Sequence, residues 1–571
     1  MSKASVLVGA CVLALGMGFL GSTLALSRPV VRPASSDYTF LDPLIEVKSL
    51  LNRRYVDVPD DKTLQDGAIK GMLDALNDPY TVYVPKADRR EFTKQLTGEY
   101  VGIGAQVSQQ DGWLTIVTPL EDSPAFKAGI LPEDRVVEIE GQSTNGLTID
   151  QCIDKLMGEP GTQVKLTIER KGQRLELTIM REKIKTRSVK GFHRSDADPN
   201  QWQFLLDPQN KIAYIRLTQF TPQCALELLA ALRSVGADKG ELKGLVLDLR
   251  GNGGGLLDEA TAIADLFLTS GRIVSTRGRA HPEIVVEAKP EGTLPDFPMV
   301  VLLNGASASA SEVLAGALSE NNRAVILGTR SFGKGSVQTV VPIVSSEGEL
   351  KITEQGYFLP TGRSITRKDT STTWGVDPTP GFYLPMSDEQ ALELLRVRRD
   401  LELIRAGSAP ADQKWSDADW VLAHLKDPQL TAAVQALRAR NASGTWQPPG
   451  ATENASTTIA VDELKRLRLD RERLARALTA IDKRAEALES AAGDAAAAAK
   501  TPDLWASTAD LTGGVLEIKD KDGNVVATLR ITGNDLERWL LDADVKPAAP
   551  SAETQPADSK PADNKPTPAS P

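Results

Sequence analysis

The chain has 571 residues, enough for several domains, because one domain usually takes about 100–200 residues. Its 41% hydrophobic and 25% charged residues are typical of globular proteins, and its net charge of −10 argues against a nucleic-acid partner, which would need a basic surface. Its three cysteines are too few for a framework of several disulfides, and with three histidines they argue against a Cys/His metal site.

Residues 1–36 contain an uncharged apolar run, Ala4–Leu26, after the short basic start Met1–Lys3. A helix that spans a bilayer needs about 20 apolar residues, and this run is that long. It also resembles a signal sequence with a cleavage site near Thr23–Ala25. Under both interpretations the rest of the chain is exported. The alternative to both is that the apolar run forms a buried core helix. We predict an uncleaved inner-membrane anchor, with the bulk of the chain in the periplasm or another extracytoplasmic space.

Residues 37–98 carry apolar residues at helical spacing, first from Leu44 to Leu51 and then from Leu64 to Leu76. The spacing predicts two helices in an N-terminal helical region. Packing against the following domains is its simplest role.

Residues 99–185 have short apolar strands, and a glycine loop, Val101–Ala105, precedes them. This pattern resembles a PDZ domain. In that module, backbone N–H groups of the glycine loop, here Gly102 to Gly104, hold the terminal carboxylate of a peptide that adds a strand to the sheet. Ile103 and Ala105 would line the apolar pocket. Arg170, at the end of a predicted strand, is either a surface charge or a contact to the next domain.

Residues 186–385 alternate strands with helices, which predicts a largely parallel sheet covered by helices. Three consecutive glycines, Gly253–Gly255, follow a strand that ends near Asp248 and open a helix. A dinucleotide-binding loop would need a glycine at Leu256. The glycines form either a tight turn alone or an oxyanion site that pairs the N–H of Gly254 or Gly255 with that of Ala310. The spacing does not choose between the two glycines.

The stretch from Met299 to Gln338 predicts a strand, a Ser/Ala-rich turn, a helix, a second strand and the loop Phe332–Gln338. A serine in the turn would sit at a helix N-terminus, where free N–H groups favour a developing negative charge. The three histidines, His193, His281 and His424, lie in no Ser-His-Asp motif.

Lys334 is the candidate base. Lowering a lysine pKa from ~10.4 to about 7–8 costs roughly 3–4 kcal/mol, which burial can supply. Gln338, four residues on, would lie on the same face of a strand and accept a hydrogen bond from the lysine.

The same stretch is compatible with two alternatives. Ser309 with Glu312 three residues later is also an ordinary helix N-cap. Gly328–Lys334 fits the spacing of a nucleotide-binding loop, but Gly335 stands where that loop needs Ser or Thr. Residues 337–343 moreover predict a strand rather than the helix that a phosphate loop requires.

The residues Asn304–Glu312, Phe332–Gln338 and Leu247–Gly255 closely resemble the motifs of the carboxyl-terminal processing proteases, a Ser-Lys family known as peptidase family S41. The resemblance covers roughly Asp37 to Pro385. It implies a core related to crotonase and Clp protease, with Ser309 as nucleophile, Lys334 as base and Gln338 as the residue that orients the lysine. Spacing alone does not choose Ser309 over Ser307 or Ser311. The resemblance also implies that the N-terminal helical region can serve self-association.

The rest of the chain is less informative. Arg363 and Asp377 are expected to be structural ties. Residues 386–440 predict a helical extension, 441–460 a linker, 461–545 a helix with a small β segment, and 546–571, rich in Pro and Ala, a disordered tail.

We therefore expect an α/β protein with a crotonase/Clp-like core, an inserted PDZ β-domain, and helical regions at both ends. The expected activity is that of an exported serine endopeptidase that binds protein C-termini on its PDZ domain and cleaves near them, without a cofactor or a metal. Its expected partners are protein or peptide substrates, a membrane through the N-terminal anchor, and a second copy of the chain. The alternatives are an inactive PDZ scaffold or substrate-holding protein, and acyl-CoA chemistry on the related fold.

Overall fold

The computed structural model describes residues 39–89, 91–93, 98–195, 197–346, 348–368, 370–404, 414–450, 455–492, 515–519 and 524–530. The chain divides into two compact units, Met1–Val461 and Asp462–Pro571. Within the described ranges, no helix has both the length and the apolar character that a membrane crossing requires. The predicted anchor in residues 1–36 and the predicted tail, 546–571, lie outside the described residues.

Two helices, α1 (Asp42–Arg54) and α2 (Asp61–Asp74), open the described chain, as the apolar spacing predicts. Neither helix buries a residue in this unit. Strand β1 (Val82–Val84) and a short 3₁₀ helix (Lys86–Asp88) follow. Strand β1 pairs antiparallel with residues 349–351, so this N-terminal segment joins a sheet of the later domain.

The PDZ region forms a sheet in the order β3-β4-β5-β7-β8, with β6 paired to β5 and a separate pair, β2-β9. Its buried core includes alternate residues of β7, namely Val164, Leu166 and Ile168, because successive side chains of a strand point to opposite faces. The elements are β2 (Glu99–Gly102), β3 (Ala105–Gln110), β4 (Trp113–Pro119), α3 (Pro124–Lys127), β5 (Arg135–Ile139), β6 (Gln142–Ser143), α4 (Ile149–Leu156), β7 (Gln163–Arg170), β8 (Gln173–Met180) and β9 (Glu182–Lys185).

The next domain contains the predicted alternation of strands and helices. Its elements are β10 (Val189–Lys190), β11 (His193–Arg194), β12 (Trp202–Gln203), β13 (Leu205–Asp207), β14 (Ile212–Leu217), α5 (Cys224–Ser234), β15 (Gly244–Asp248), α6 (Leu257–Asp265), β16 (Arg272–Arg277), β17 (Ile284–Glu287), β18 (Met299–Leu303), α7 (Ala310–Glu320), β19 (Val325–Gly328), β20 (Ser336–Ile343) and β21 (Gly348–Phe358).

A largely parallel sheet lies at the centre of this domain. Strands β14, β15, β18 and β19 pair in parallel in that order, while β10 and β13 pair antiparallel with β14. Strands β15, β18 and β19 are buried along their whole length, which explains their unbroken apolar runs. The loops after β15 and β18 leave the sheet at the same edge, where ligands bind in open α/β sheets.

Helices cover both faces of the parallel sheet. Side chains of α5, α6 and α7 pack in one buried cluster with the sheet, and the C-terminal helices contribute to the other. In that second cluster, Val246, Val300 and Leu327 of the sheet share a core with Val434 and Leu437. The predicted helical extension therefore completes the core. Its helices are α8 (Asp388–Glu402), α9 (Ala418–Leu425) and α10 (Pro428–Ser443).

A second sheet follows the order β1-β21-β16-β17, with β20 paired to the long strand β21. The β20–β21 register places Gln338 opposite Thr353 and Val340 opposite Lys351.

The C-terminal part of the chain contains the predicted helix and β segment. Helix α11 (Ala455–Ala492) is 38 residues long, and β22 (Val515–Lys519) pairs antiparallel with β23 (Val525–Arg530). The predicted linker, 441–460, is wrong at both ends, because α10 continues to Ser443 and α11 begins at Ala455. Gly444, with φ 73°, ends α10 in the left-handed conformation that glycine favours.

Candidate active site

Ser309 ends the turn between β18 and α7 and lines a cleft of about 520 Å³. Its backbone has φ 57° and ψ −115°, a conformation that costs energy for a residue with a side chain. Such strained residues cluster at active sites, because the surrounding structure must hold them in place. The side chain is 6% exposed, so the hydroxyl is enclosed but reachable from the cleft.

The other two serines of the turn are used structurally. The Ser307 hydroxyl donates to the Leu249 carbonyl at 2.9 Å, and the Ser311 hydroxyl donates to the Asn252 carbonyl at 2.8 Å. Both serines are fully buried. These bonds fasten the turn to the loop after β15, and they leave Ser309 as the serine of the three that faces the cleft.

Glu312, in the first turn of α7, binds both segments of the site. Its fully buried carboxylate accepts from the backbone N–H of Ser309 at 2.8 Å, the N-cap bond expected from the sequence. The same carboxylate accepts from the N–H groups of Gly333 at 2.6 Å and Lys334 at 2.9 Å, and from the Ser331 hydroxyl at 2.6 Å. Burial raises the pKa of Glu312, and these hydrogen bonds oppose the rise.

Lys334 lies in the loop between β19 and β20 and lines the same cleft as Ser309. Its Nζ lies 4.7 Å from the centroid of the Tyr80 ring, a cation–π contact. Burial lowers the pKa of Lys334, and the charge of Lys351 lowers it further. Two carboxylates, Glu312 and Asp78, act in the opposite direction but do not cancel the decrease.

Gly254 lies directly against the turn that carries Ser309. A Cβ added to Gly254 would lie 2.8 Å from both the Ala308 carbonyl oxygen and the Ser309 Cβ, and 3.1 Å from the Ala310 nitrogen. Its φ is 104°, which residues with a side chain rarely adopt. Only glycine therefore allows this loop to approach the serine so closely.

The N–H groups of the glycine loop differ in their partners. The Gly254 N–H donates to the Asn252 side-chain oxygen at 2.9 Å. No hydrogen-bond partner of the Gly255 N–H occurs among the residues that the structure describes. Gly255 also lines the cleft. A free N–H favours Gly255 over Gly254 as the donor to an oxyanion.

Tyr357 of β21 lines the same cleft as Ser309. Burial raises the pKa of Tyr357, and the Ser309 side chain acts in the opposite direction without cancelling the rise. The phenol therefore stays protonated at neutral pH.

A second cleft, of about 450 Å³, lies in the PDZ region between β3 and α4. Gly102, Ile103, Gly104 and Ala105 all line it, as the PDZ resemblance implies. Strand β3 stands at the end of its sheet, paired on one side by β4, so the other edge is open to an added strand among the described residues.

Three family models match this sequence: peptidase family S41 over residues 211–380, a PDZ domain over 115–170, and the N-terminal domain of activating protease CtpB over 32–87. The chain is 40% identical over 441 residues to a carboxy-terminal-processing protease of Bartonella bacilliformis, covering 75% of this chain and 96% of the relative. The chain belongs to the carboxy-terminal processing proteases of family S41.

The protease is also 34% identical over 356 residues to the carboxy-terminal processing protease CtpA of Bacillus subtilis, covering 62% of this chain and 71% of the relative. The solved structure of a photosystem II D1 C-terminal processing protease shares 26% identity, covers 62% of this chain and 94% of that chain, and has a TM-score of 0.35. The family models and the relatives confirm the predicted family, the serine-protease class and the α/β fold with a PDZ domain.

The hydrogen bond that we expected between Gln338 and Lys334 of the protease is not formed. The amide nitrogen of Gln338 donates instead to the hydroxyls of Ser336, at 2.8 Å, and Thr353, at 3.3 Å. The expectation assumed one continuous strand, but β20 begins at Ser336 and is bulged next to Gln338. Lys334 therefore precedes the strand, and the two residues do not share a strand face.

Three charged side chains outside the cleft are structural. Arg170 donates to both oxygens of Asp134 at 2.7 Å, so its partner lies within the PDZ region. Arg363 donates to the Gly375 carbonyl at 2.7 Å, and Asp377 pairs with a neighbouring arginine. The expectation of structural ties for Arg363 and Asp377 agrees with these bonds.

A buried ionic network supports the loop that leads from β15 to Gly254. Both oxygens of Asp248 accept from the Arg250 side chain, at 2.9 and 2.7 Å. Arg250 also donates to both oxygens of Asp427, at 2.9 and 2.6 Å. Arg398 of α8 adds a second positive charge to this group. Two arginines and two carboxylates thus balance in charge, and half of them come from the C-terminal helical extension.

Sequence reasoning missed several residues of the site. Tyr80 and Asp78, which act on Lys334, come from the N-terminal segment that β1 ties to β21. Tyr357 and Lys351 come from β21 itself. The run Asp78–Tyr83 was visible in the sequence, but nothing in it indicated pairing with a strand so far along the chain.

Gly254→Ala is expected to lower kcat/KM by about 10²-fold or more, the usual effect of disturbing an oxyanion site. The new methyl group would clash with Ala308 and displace Ser309, and the positive φ adds strain. The measurement is kcat/KM for peptide hydrolysis by wild type and by Gly254→Ala. Gly253→Ala is the matched control, because a Cβ there meets no atom within 4 Å. Equal activity of Gly254→Ala and wild type would contradict the close approach.

Proposed function

We propose that the chain is a Ser-Lys endopeptidase that captures the carboxyl end of a protein on its PDZ domain and cleaves upstream of it. The observation that carries this proposal is that Ser309 and Lys334 line one cleft, while the buried Glu312 carboxylate binds the backbone of both. Gly254, which approaches the serine closely, completes the arrangement. Such a set serves acyl transfer, in which a nucleophile, a base and N–H donors must converge.

In the proposed reaction, the Ser309 hydroxyl attacks the scissile carbonyl and passes its proton to the neutral Lys334 amine. The tetrahedral oxyanion accepts from the N–H groups of Ala310 and of Gly255 or Gly254. Lys334 then donates the proton to the departing amine as the C–N bond breaks, which leaves an acyl-enzyme on Ser309. Lys334 next accepts a proton from water as the water oxygen attacks the ester carbonyl, and it returns this proton to the Ser309 oxygen as the ester C–O bond breaks, which releases the acid and restores both residues.

The lowered pKa of Lys334 supports its role as base, because only the unprotonated amine can accept the serine proton. The Tyr80 ring lies against the amine and, unlike a carboxylate, carries no charge that would form an ion pair with it. Among the described residues, no carboxylate forms an ion pair with Lys334 within 4.0 Å, so its proton is not locked in a salt bridge.

Substrate delivery is assigned to the PDZ cleft. Backbone N–H groups of Gly102 to Gly104 would hold the terminal carboxylate, and the peptide would extend the sheet along β3. The apolar lining, which includes Val117, Leu156 and Met157, favours an apolar C-terminal residue.

The remaining proposals concern location and assembly. We propose export and an N-terminal membrane anchor, supported by the charge-free run Ala4–Leu26. Self-association through the N-terminal helices is supported by their exposed apolar side chains. These are Leu44, Ile45, Val47 and Met72, which are 44–63% exposed. An exposed apolar surface of this kind is typical of an interaction site.

Labelling with a fluorophosphonate tests the proposed nucleophile. The reagent phosphonylates an activated serine with loss of fluoride, and mass spectrometry of the digested protein locates the adduct. The adduct is expected on Ser309 in the wild type, and Lys334→Met should prevent it. In parallel, Ser309→Ala should lose hydrolysis of an unfolded protein. An adduct on Ser307 or Ser311, or equal hydrolysis by Ser309→Ala and wild type, would overturn the proposal, the latter in favour of a substrate-holding protein.

A further inference from the structure

The catalytic cleft carries a second lysine that the reaction does not use. Lys351 of β21 lines the cleft together with Ser309 and Lys334. These two lysines are the charged residues among the described residues that line the cleft, and no carboxylate lines it. The cleft is therefore positively charged whenever Lys351 is protonated.

No carboxylate within the described residues lies close enough to Lys351 to form an ion pair. The acid that acts on it through its charge, Asp78, lies too far away for an ion pair, and its two oxygens accept from the Tyr80 N–H at 3.0 Å and the Thr81 hydroxyl at 2.6 Å. Lys351 is half-buried, and burial lowers its pKa. An ammonium group that is partly desolvated and unpaired gains most from an anion brought by a ligand.

The strand register places Lys351 on the face of the β20–β21 pair that lines the cleft. Val340, opposite Lys351, also lines the cleft, as does Gln338 two residues away on the same face. Two residues of a strand span about 7 Å, and an extended peptide in the cleft advances by the same amount. If one residue of an extended peptide lies next to Gln338, the residue about two positions further along that peptide lies next to Lys351.

We propose that Lys351 binds a carboxylate of the substrate, so that the cleft selects peptides with an acidic group close to the scissile bond. This inference rests on the proposed peptidase function and specifies its substrate class. The carboxylate can belong to an Asp or Glu side chain or to the chain terminus of a short tail, and both would form the same charge-assisted hydrogen bond.

The test compares matched unfolded peptides that end in an apolar residue and carry Glu or Gln at one position near the cut, scanned along the peptide. At one position, the wild type is expected to cleave the Glu peptide about tenfold faster, in kcat/KM, than the Gln peptide. Lys351→Met should bring this ratio close to one, and Lys351→Glu should favour a Lys peptide over a Glu peptide. Substituting Lys351 also changes the pKa of Lys334. This change affects both peptides equally, so it cancels from a ratio measured with one enzyme.

A second arm distinguishes the two sources of the carboxylate. Peptides with short tails are prepared as free acids and as C-terminal amides. The PDZ domain contributes equally to peptide binding in wild type and in Lys351→Met, so only these two proteins are compared. A preference for the free acid that Lys351→Met abolishes assigns the site to the chain terminus. A Glu preference that persists in amidated peptides assigns it to a side chain. Equal ratios in wild type, Lys351→Met and Lys351→Glu overturn the inference.

Binding separates this inference from the proposed function. Fluorescence anisotropy with Ser309→Ala protein compares the Kd of the Glu and Gln peptides without catalysis, and the double variant Ser309→Ala, Lys351→Met repeats the comparison. Tighter Glu binding that the second substitution removes supports the inference even if the wild type cleaves nothing. Equal Kd values in both proteins refute it even if the wild type is an active peptidase.

Discussion

Lys334→Met is expected to reduce kcat/KM for peptide hydrolysis by about 10⁴-fold, the upper range for losing a general base. Methionine keeps the length and apolar stem of lysine but cannot accept the Ser309 proton. The fold should survive, because the Glu312 carboxylate binds the backbone N–H of residue 334 and not its side chain. Steady-state kinetics and thermal unfolding of purified protein measure both effects.

Lys334→Arg is the informative comparison. Arginine keeps the positive charge but does not lose its proton in proteins, so the variant should be as inactive as Lys334→Met. Activity of Lys334→Arg within tenfold of wild type would mean that residue 334 acts through its charge and not as a base.

The pH profile of the wild type gives an independent check of the same residue. Burial and Lys351 hold the pKa of Lys334 below its ordinary value of 10.5, against the pull of Glu312 and Asp78. Because the neutral amine is the active form, kcat/KM should rise with pH through this lowered pKa. A profile that falls over this range would contradict the assignment.

Asp427→Asn is expected to destabilise the protein by about 3–5 kcal/mol, the cost of removing one partner from a buried ion pair. The substitution leaves Arg250 and Arg398 with Asp248 alone, and so leaves one buried positive charge without a partner. Asparagine is as good an N-cap as aspartate, so the cap of α10 is retained. The measurement is the midpoint of thermal unfolding followed by circular dichroism.

Asp419→Asn is the matched control. Asp419 also pairs with an arginine, Arg438, at 2.8 Å, but its side chain is 80% exposed, and exposed pairs contribute about 0–1 kcal/mol. Unfolding of Asp427→Asn at the same temperature as Asp419→Asn would show that the buried network contributes no more than a surface pair.

Acid should weaken the same network. Although burial favours the neutral acid, Arg250 and Arg398 hold the pKa of Asp427 below its ordinary value. The ionised Asp427 therefore contributes its full stabilisation above about pH 3.9, the pKa of an aspartate in the unfolded chain. This contribution is lost as the pH falls through the lower pKa of Asp427 in the folded protein.

Local patterns in the sequence predicted most of the fold. Unbroken apolar runs marked β15 and β18, because parallel strands are buried on both faces. The small residues after β18 marked the turn that carries Ser309, and the glycines around Lys334 marked its loop. Each of these signals lies within a few residues of the feature it predicts.

Features that depend on distant contacts were not predictable in this way. Arg250 and Asp427 are 177 residues apart in sequence, and neither is unusual in its own segment. The partner of Lys334 was assigned to Gln338 from strand periodicity, but the strand starts too late and Tyr80 makes the contact. The choice of Ser309 among three serines came from the family resemblance, and its physical reason, the bonds of Ser307 and Ser311, needed the structure.

One buried carboxylate holds both the turn of Ser309 and the loop of Lys334. Both bonds are made by backbone N–H groups, so the shared carboxylate fixes where the two chain segments lie relative to each other. We therefore expect a displacement of the first turn of α7 to move both segments together, which would preserve the mutual placement that the reacting groups need.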